Sequence, residues 1–240
     1  MKEGSKPVTP TLGLGVLHLF GKVVEGFDAE ATAEVVEKWD GSSGVDVNPN
    51  GAQIDTQIIT VEILGHKADL GFMILDPDFR RLREIQTELT ACGLQWASSY
   101  VSLTEISEYA AGVPEEMRQA RLYPQLPPED KPAWCFYPMS KRRGSTHNWF
   151  RLPYEKRKEL MYEHGASGRK FSGRVLQVVT GSTGIDDYEW GVTLFCQTPD
   201  DLKEVVYTLR YDEGSALYGD FGTFWTGVVT PPSEIARKHG

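Results

Sequence analysis

Cys135-Phe136-Tyr137-Pro138-Met139-Ser140-Lys141-Arg142-Arg143 opens as an apolar strand and closes as a cationic cluster. In an extended chain alternate side chains share a face, so Tyr137, Met139 and Lys141 point the same way. A phenol and an ammonium then lie side by side, with two guanidiniums just beyond. Such an edge suits an anionic ligand with oxidisable chemistry close to it. Taken alone, the stretch is more commonly the solvated end of an ordinary strand, by about two to one. Its surroundings have to decide.

Read as a strand, Ala133 to Ser140 begins a series of elements that the chain has already run through once. Before it, Leu12 to Phe20 reads as a strand with Leu12, Leu14, Val16 and His18 on one face. Asp28 sits at an N-cap before a helix over Ala29 to Trp39, with Ala31, Val35 and Trp39 spaced for burial. Gly41 to Gly51 is rich in Gly, Ser, Asn and Pro and reads as a loop. Gln53 to Leu64 and Ala68 to Leu75 are strands turned at Gly65-His66-Lys67. Asp76-Pro77-Asp78 starts a helix with Leu82, Ile85 and Leu89 on one stripe, closed by Gly93, and Leu94 to Ile106 is a strand. After Ala133 to Ser140 the order returns. A helix entered at Pro153 runs to His164 and stops at Gly165. Strands follow over Gly173 to Gly181 and Tyr188 to Cys196. Thr198 caps a helix with Pro199 at its first position and Leu202, Val205, Val206 and Leu209 as its stripe. Leu217 to Val229 is the last strand, and the tail after Pro231-Pro232 is polar.

Each half thus reads strand-helix-strand-strand-helix-strand, the ferredoxin-like order, duplicated. The expected fold is α+β, with two antiparallel ferredoxin-like (βαββαβ) sheets, each covered by helices, forming a dimeric α+β barrel-type subunit. The expected division is an N-terminal repeat over 1–115, a connecting loop over 116–131 and a C-terminal repeat over 132–240. The proline-rich run Glu108 to Lys131 is long for a connector, which marks it as a functional loop or linker.

Composition narrows the partners. The 240 residues carry a net charge of −9, and the acidity sits in the first half. Residues 1–130 hold 10 basic and 21 acidic residues, whereas residues 137–177 hold 10 basic and 3 acidic. An acidic protein with one confined basic segment argues against nucleic acid and for a discrete anionic ligand. No apolar run is long enough to span a bilayer and the N-terminus lacks a signal-peptide core. Cys92, Cys135 and Cys196 are scattered among apolar neighbours without disulfide or metal spacing. The cytoplasm is the expected location.

The histidines provide few candidates. His147 falls in a polar loop and reads as solvated. His164 ends a helix; the residues alone leave open a histidine favoured there by the helix dipole and a single metal or haem-iron ligand. No second ligand stands at cluster spacing, so a zinc site is not expected. Thr180-Gly181-Ser182-Thr183-Gly184 lacks the lysine of a phosphate loop and reads as a hairpin turn. Gln177 is an amide within an apolar strand. Tyr218 to Trp225, rich in aromatics, reads as core or oligomer interface rather than a ligand wall.

Cys135 to Arg143, Asn148-Trp149, Glu163-His164-Gly165, Gly168-Arg169-Lys170, Gly173-Arg174-Val175-Leu176-Gln177, Asp186 to Gly191 and Tyr207 to Glu213 occur in register. Together they closely resemble the chlorite dismutase-like haem proteins, in particular their coproheme decarboxylase branch. The resemblance covers most of residues 121–229 and, more thinly, Gly65 to Leu70. It implies a homopentamer with a porphyrin site in the C-terminal repeat. It implies His164 as the iron ligand, Tyr137 as a redox-active tyrosine that takes hydrogen from a propionate, and Lys141 as its cationic neighbour. Arg121, Arg210 and Ser215 fall where the family holds porphyrin carboxylates. Gln177 stands where chlorite-degrading members carry an arginine. The implied activity is hydrogen peroxide-dependent decarboxylation of two propionates of iron-coproporphyrin III to vinyl groups, giving haem b through a tyrosyl radical. A coproporphyrin ferrochelatase is the implied donor. Two other readings compete: a chlorite-degrading or peroxidase-like haem enzyme, and a non-catalytic haem carrier or sensor. Tyr188, where relatives often carry tryptophan, and a segment between Arg121 and Tyr137 about two residues long for the family depart from the pattern.

Overall fold

The computed structural model describes residues 11–47, 53–110 and 112–239. The first repeat runs β1 (Thr11–Val23), α1 (Ala29–Trp39), a hairpin of β2 (Ser43–Val47) and β3 (Gln53–Asp55), β4 (Gln57–Ile63), β5 (Leu70–Asp76), α2 (Phe79–Ala91) and β6 (Leu94–Ile106). The connector carries α3 (Glu115–Leu122). The second repeat runs β7 (Ala133–Lys141), α4 (Tyr154–Arg169), β8 (Val175–Gly181), β9 (Trp190–Cys196), α5 (Pro199–Leu209), a short α6 (Glu213–Ala216), β10 (Gly219–Phe221) and β11 (Trp225–Val229). A last helix, α7 (Pro232–His239), follows.

Within each repeat the strands pair in ferredoxin-like order, β4-β5-β1-β6 and β8-β9-β7-β11. The two sheets do not stay separate. β6 joins β8 at Leu103↔Gly181, and β11 joins β4 at Gly227↔Ile63, so eight strands close into one ring. Closure gives every strand of the ring an inner face on the barrel interior, and in the first repeat helices cover the outer face. β5 shows the consequence: all seven of its residues are buried. Met73 and Leu75 point into the barrel with Phe20, Trp134 and Phe136, while Leu70, Phe72 and Ile74 point outward to α1 and α2. His18 is part of the inner core, fully buried and stacked on Phe136 at 4.0 Å. Burial pulls its imidazole down to about 3, so it stays neutral, with Nε2 against Thr193 Oγ1.

The second seam depends on a missing side chain. A Cβ on Gly227 would stand 2.2 Å from the Glu62 carbonyl oxygen and 2.7 Å from Val61 Cγ1. Gly227→Val is therefore expected to cost about 1–3 kcal/mol by overpacking, lowering the thermal midpoint by about 2–4 °C for each kcal/mol. An unchanged melting curve would contradict the tight β4–β11 contact.

Several boundaries differ from the sequence reading, each for a physical reason. The Thr198 cap is as expected and forms a reciprocal capping box with Asp201. Gly165, by contrast, does not stop α4, which continues to Arg169 because its last turns are held from outside: Ser167 donates to Asp212. The stretch after Gly41 is no plain loop but the β2–β3 hairpin; residues 48–51, and the side chain of Leu12, lie outside the described residues. The tail folds as α7, its one buried residue Ile235 joining the core under α1 and α2. The expected strand Leu217 to Val229 is broken at Gly222-Thr223-Phe224 into β10 and β11. Among the described residues, no helix is long and apolar enough to cross a membrane.

Candidate active site

The outward face of the second sheet forms a floor. Register across β7, β9 and β8 sets three rows: Cys135, Leu194 and Gln177; Tyr137, Val192 and Val179; Met139, Trp190 and Gly181. α5 packs directly on this floor, with Leu202, Val205 and Leu209 against Cys135, Val192 and Leu194. α4 does not. Only Leu160 and Ser167 of its 16 residues are buried, and Leu160 packs with Trp149 and Tyr218 instead. In the first repeat the corresponding helices close onto the sheet; here α4 stands off and leaves a gap. That gap is a cavity of about 1530 Å³. Apolar side chains dominate its wall, and Met117, Ala120 and Arg121 of α3 close one side.

The seven residues singled out in the sequence all line this one cavity: Arg121, Tyr137, Lys141, His164, Gln177, Arg210 and Ser215. His147 does not line it and is exposed. The aromatic run expected to be core or interface supplies wall instead. Phe224 stacks on Tyr137 at 4.4 Å and Phe221 meets the same ring edge-on at 5.8 Å.

Tyr137 is 5% exposed, and burial raises its phenol well above the ordinary range. Among the described residues its hydroxyl has no hydrogen-bond partner, so no protein base stands ready for its proton. Lys141 ends β7, nearly buried, with Nζ donating to the Gly214 carbonyl at 2.6 Å and lying 4.4 Å above the Trp149 ring. Burial pulls its ammonium down to about 8, against the opposing field of Glu189. Glu189 itself accepts from the Lys141 backbone N–H at 2.8 Å and pairs with Arg143, fixing the end of the strand.

His164 lies midway along α4 and is part-exposed toward the cavity. Its Nδ1 faces Asp212 Oδ2 at 3.1 Å, and Asp212 Oδ1 accepts from Ser167 Oγ at 2.8 Å. Burial and the nearby Lys141 charge lower the imidazole pKa, more than Asp212 raises it. The ring is therefore neutral at pH 7, with Nδ1–H donated to a carboxylate and Nε2 left as a free donor atom. That is the arrangement of a metal-binding histidine oriented from behind. Asp212 and Glu189 lay within motifs quoted from the sequence, but a carboxylate three residues past the end of α5 carries no signal of the ring it supports.

The remaining charges sit around the rim. Arg210 caps α5, lies 3.9 Å over the Tyr207 ring and 5.0 Å from that of Tyr211, and is thereby held in place while exposed. Ser215 Oγ lies 3.4 Å from His164 Nδ1. Gln177 lies on the floor, in the row of Cys135 and Leu194, and lines the cavity. Neutral His164 and neutral Gln177 thus line one largely apolar cavity together with Arg121, Lys141 and Arg210, a setting for a polyanion that also carries a metal.

The family model described as chlorite dismutase matches residues 29–230. A coproheme decarboxylase from Staphylococcus carnosus (strain TM300) is 48% identical over 183 residues, which is 72% of this chain and 73% of that protein. Among solved structures, a haem-binding protein from Thermus thermophilus superposes with a TM-score of 0.83 at 33% identity, covering 98% of both chains. A mutant chlorite dismutase from Candidatus Nitrospira defluvii superposes at 0.74 with 20% identity, over 95% of this chain and 96% of that one, a likeness of fold.

Proposed function

The chain belongs to the chlorite dismutase family, and we propose that its reaction there is the peroxide-dependent decarboxylation of coproheme to haem b. The observation that carries this reading is the pairing of His164 with Asp212 on one wall of a slot that Tyr137 and Lys141 border. The residues fit an iron porphyrin bearing carboxylates. His164 Nε2 would hold the iron, and Arg121, Lys141, Arg210 and Ser215 would hold propionates through charge-assisted hydrogen bonds. Bound iron-coproporphyrin is at once the substrate and, with hydrogen peroxide, the source of oxidising equivalents.

The protein's own part is positioning and proton management. Gln177 would offer an amide hydrogen bond within the cavity, with no positive charge to retain an oxyanion; this favours the decarboxylase over a chlorite-degrading reading. Tyr137 gives up an electron and its phenolic proton, then takes a hydrogen atom from the propionate β-carbon. Lacking a protein base, Tyr137 passes its proton to the propionate it faces or to water. Each round consumes one propionate, one hydrogen peroxide and one proton, and yields a vinyl group, CO2 and two waters. Lys141 neutralises the carboxylate while it waits. A homopentameric assembly and a ferrochelatase donor belong to the same reading.

The test is to load the protein with iron-coproporphyrin, titrate hydrogen peroxide and follow porphyrin mass. Two successive losses of one formic-acid equivalent, ending at haem b, are expected. Bleaching, or unchanged coproheme, would point to a peroxidase or a carrier.

A pH dependence follows from Lys141. Its charge is present below about 8 and lost above, so the part of carboxylate binding that needs it is present at pH 7 and fades as pH rises. Affinity for metal-free coproporphyrin should fall about tenfold between pH 7 and 9.5, the worth of one charged hydrogen bond. Lys141→Arg should hold its affinity over that range. A parallel decline in both proteins would assign the effect elsewhere.

A further inference from the structure

The cavity proposed to take a tetracarboxylate also contains carboxylates of its own. Glu108 is engaged, 3.7 Å from Arg157, whose Nε also donates to the Tyr109 hydroxyl. Glu105, on β6, is different. Among the described residues no Lys, Arg or His comes within ion-pair distance of it. Its one partner is the Trp190 indole, which donates to Oε1 at 3.1 Å. Arg121 does not pair with it, although Thr104 beside Glu105 donates to the carbonyl of Leu122 beside Arg121. The carboxylate lies directly over Gly181, where a Cβ would come within 2.0 Å of Oε2, so the backbone leaves room for it. Burial raises its pKa. In its ionised form, with no cation paired to it, this carboxylate repels a propionate brought up to it.

Its place on the floor defines which part of a ligand it meets. Glu105 lies on the fourth strand from Tyr137, across β9 and β8, about 14 Å away along the sheet at the usual strand spacing. The wall around it is apolar: Leu103, Val179, Ile185 and Trp190 line the same side. Of the cations proposed to hold propionates, Lys141 and Arg210 stand on other elements, while Arg121, on the neighbouring α3, leaves Glu105 unpaired. One edge of a bound macrocycle therefore faces cations, while another faces grease and an unpaired carboxylate.

Coproporphyrins differ in how they meet such an edge. In isomer III, one of the four meso edges is flanked by two methyl groups and carries no propionate. In isomer I, every edge is flanked by one methyl and one propionate. Resting on the coproheme reading above, we propose that Glu105 is a specificity-determining residue. It accepts the methyl-flanked edge, so the site selects isomer III over isomer I and fixes how the macrocycle is turned. The device is repulsion of the wrong ligand rather than attraction of the right one.

Binding of metal-free coproporphyrin III and I to the full chain at pH 8, followed by quenching of tryptophan fluorescence, tests this without turnover. The wild type should favour isomer III at least roughly tenfold, like charges being costly in a partly buried contact. Glu105→Gln, which keeps an acceptor for Trp190, should bring the two isomers to within about twofold, chiefly by tightening isomer I. Equal binding of the two isomers by the wild type would overturn the proposal and leave the coproporphyrin reading standing. So would a preference that survives Glu105→Gln unchanged. Failure of both isomers to bind would overturn the proposal and the coproporphyrin reading together. The wild-type comparison stands even if the variant folds poorly.

Discussion

Tyr137→Phe should bind coproheme as the wild type does and fail to decarboxylate it. The substitution removes one oxygen, and that oxygen makes no hydrogen bond among the described residues, so no buried partner is left unsatisfied. The ring keeps its stacking on Phe224 and its edge contact with Phe221. Thermal stability should accordingly change by less than about 0.5 kcal/mol. Affinity should change little, because His164 and the cations remain. What is lost is the O–H that cycles between phenol and radical, and phenylalanine has no comparable hydrogen to give. The rate of the first mass loss should drop by at least about 10³-fold, some 4 kcal/mol of barrier. Porphyrin mass and binding, measured on one preparation, separate the outcomes. Intact binding with normal turnover would refute the role of Tyr137; lost binding would make it a structural residue.

The same variant separates the enzyme from a carrier. A carrier would keep His164 and the rim arginines but has no use for an oxidisable ring lining the same cavity as a buried ammonium. The local environment is costly to maintain: the Tyr137 phenol and the Lys141 ammonium are both displaced from their ordinary ionisation by burial. Removing the hydroxyl from a carrier would change nothing measurable.

How much of this was legible in the sequence depended on the range of the signal. Alternation along β7 put Tyr137, Met139 and Lys141 on one face, and all three line the cavity, because strand periodicity is local and survives folding. The Thr198 cap was legible for the same reason. A barrel-type subunit was expected from the duplicated order, but the strands that meet at its seams were not, since nothing in Leu103 or Gly227 names the strand across. α3 was hidden by the prolines around it, and α7 by having a single buried residue, Ile235. Gly165 misled as a stop signal because helix propensity yielded to tertiary contacts: His164 and Ser167 both reach Asp212, 45 or more residues away. Glu105 carried no signal at all. An acidic residue in an alternating strand ordinarily faces solvent, and only the fold turns that face into a cavity wall.

His164→Gly should abolish the preference of the site for an iron-bearing porphyrin over a metal-free one. Only the metal senses Nε2, whereas both ligands carry the same carboxylates to Arg121, Arg210 and Lys141. Metal-free coproporphyrin should therefore bind His164→Gly with nearly wild-type affinity, and the iron form should fall to the same level. Added imidazole should restore the absorption spectrum of the iron complex, because removing the side chain leaves space between α4 and the slot. Asp212→Asn gives the graded case. The amide can still occupy the position at 3.1 Å from Nδ1, but it no longer sharpens the lone pair at Nε2 with a full negative charge. Loss of such a supporting carboxylate costs about 10–100-fold in metal affinity or activity, so Asp212→Asn should fall between the wild type and His164→Gly for the iron ligand alone. The loss also removes the influence that raises the imidazole pKa, so the histidine stays neutral at pH 7 in the variant. Weakened iron binding would then reflect donor strength rather than protonation, so the gap between the wild type and Asp212→Asn should not widen as the pH falls from 7 to 6. If metal-free and iron ligands weakened together in both variants, His164 and Asp212 would be holding the fold of α4, and the iron would have to find its ligand elsewhere.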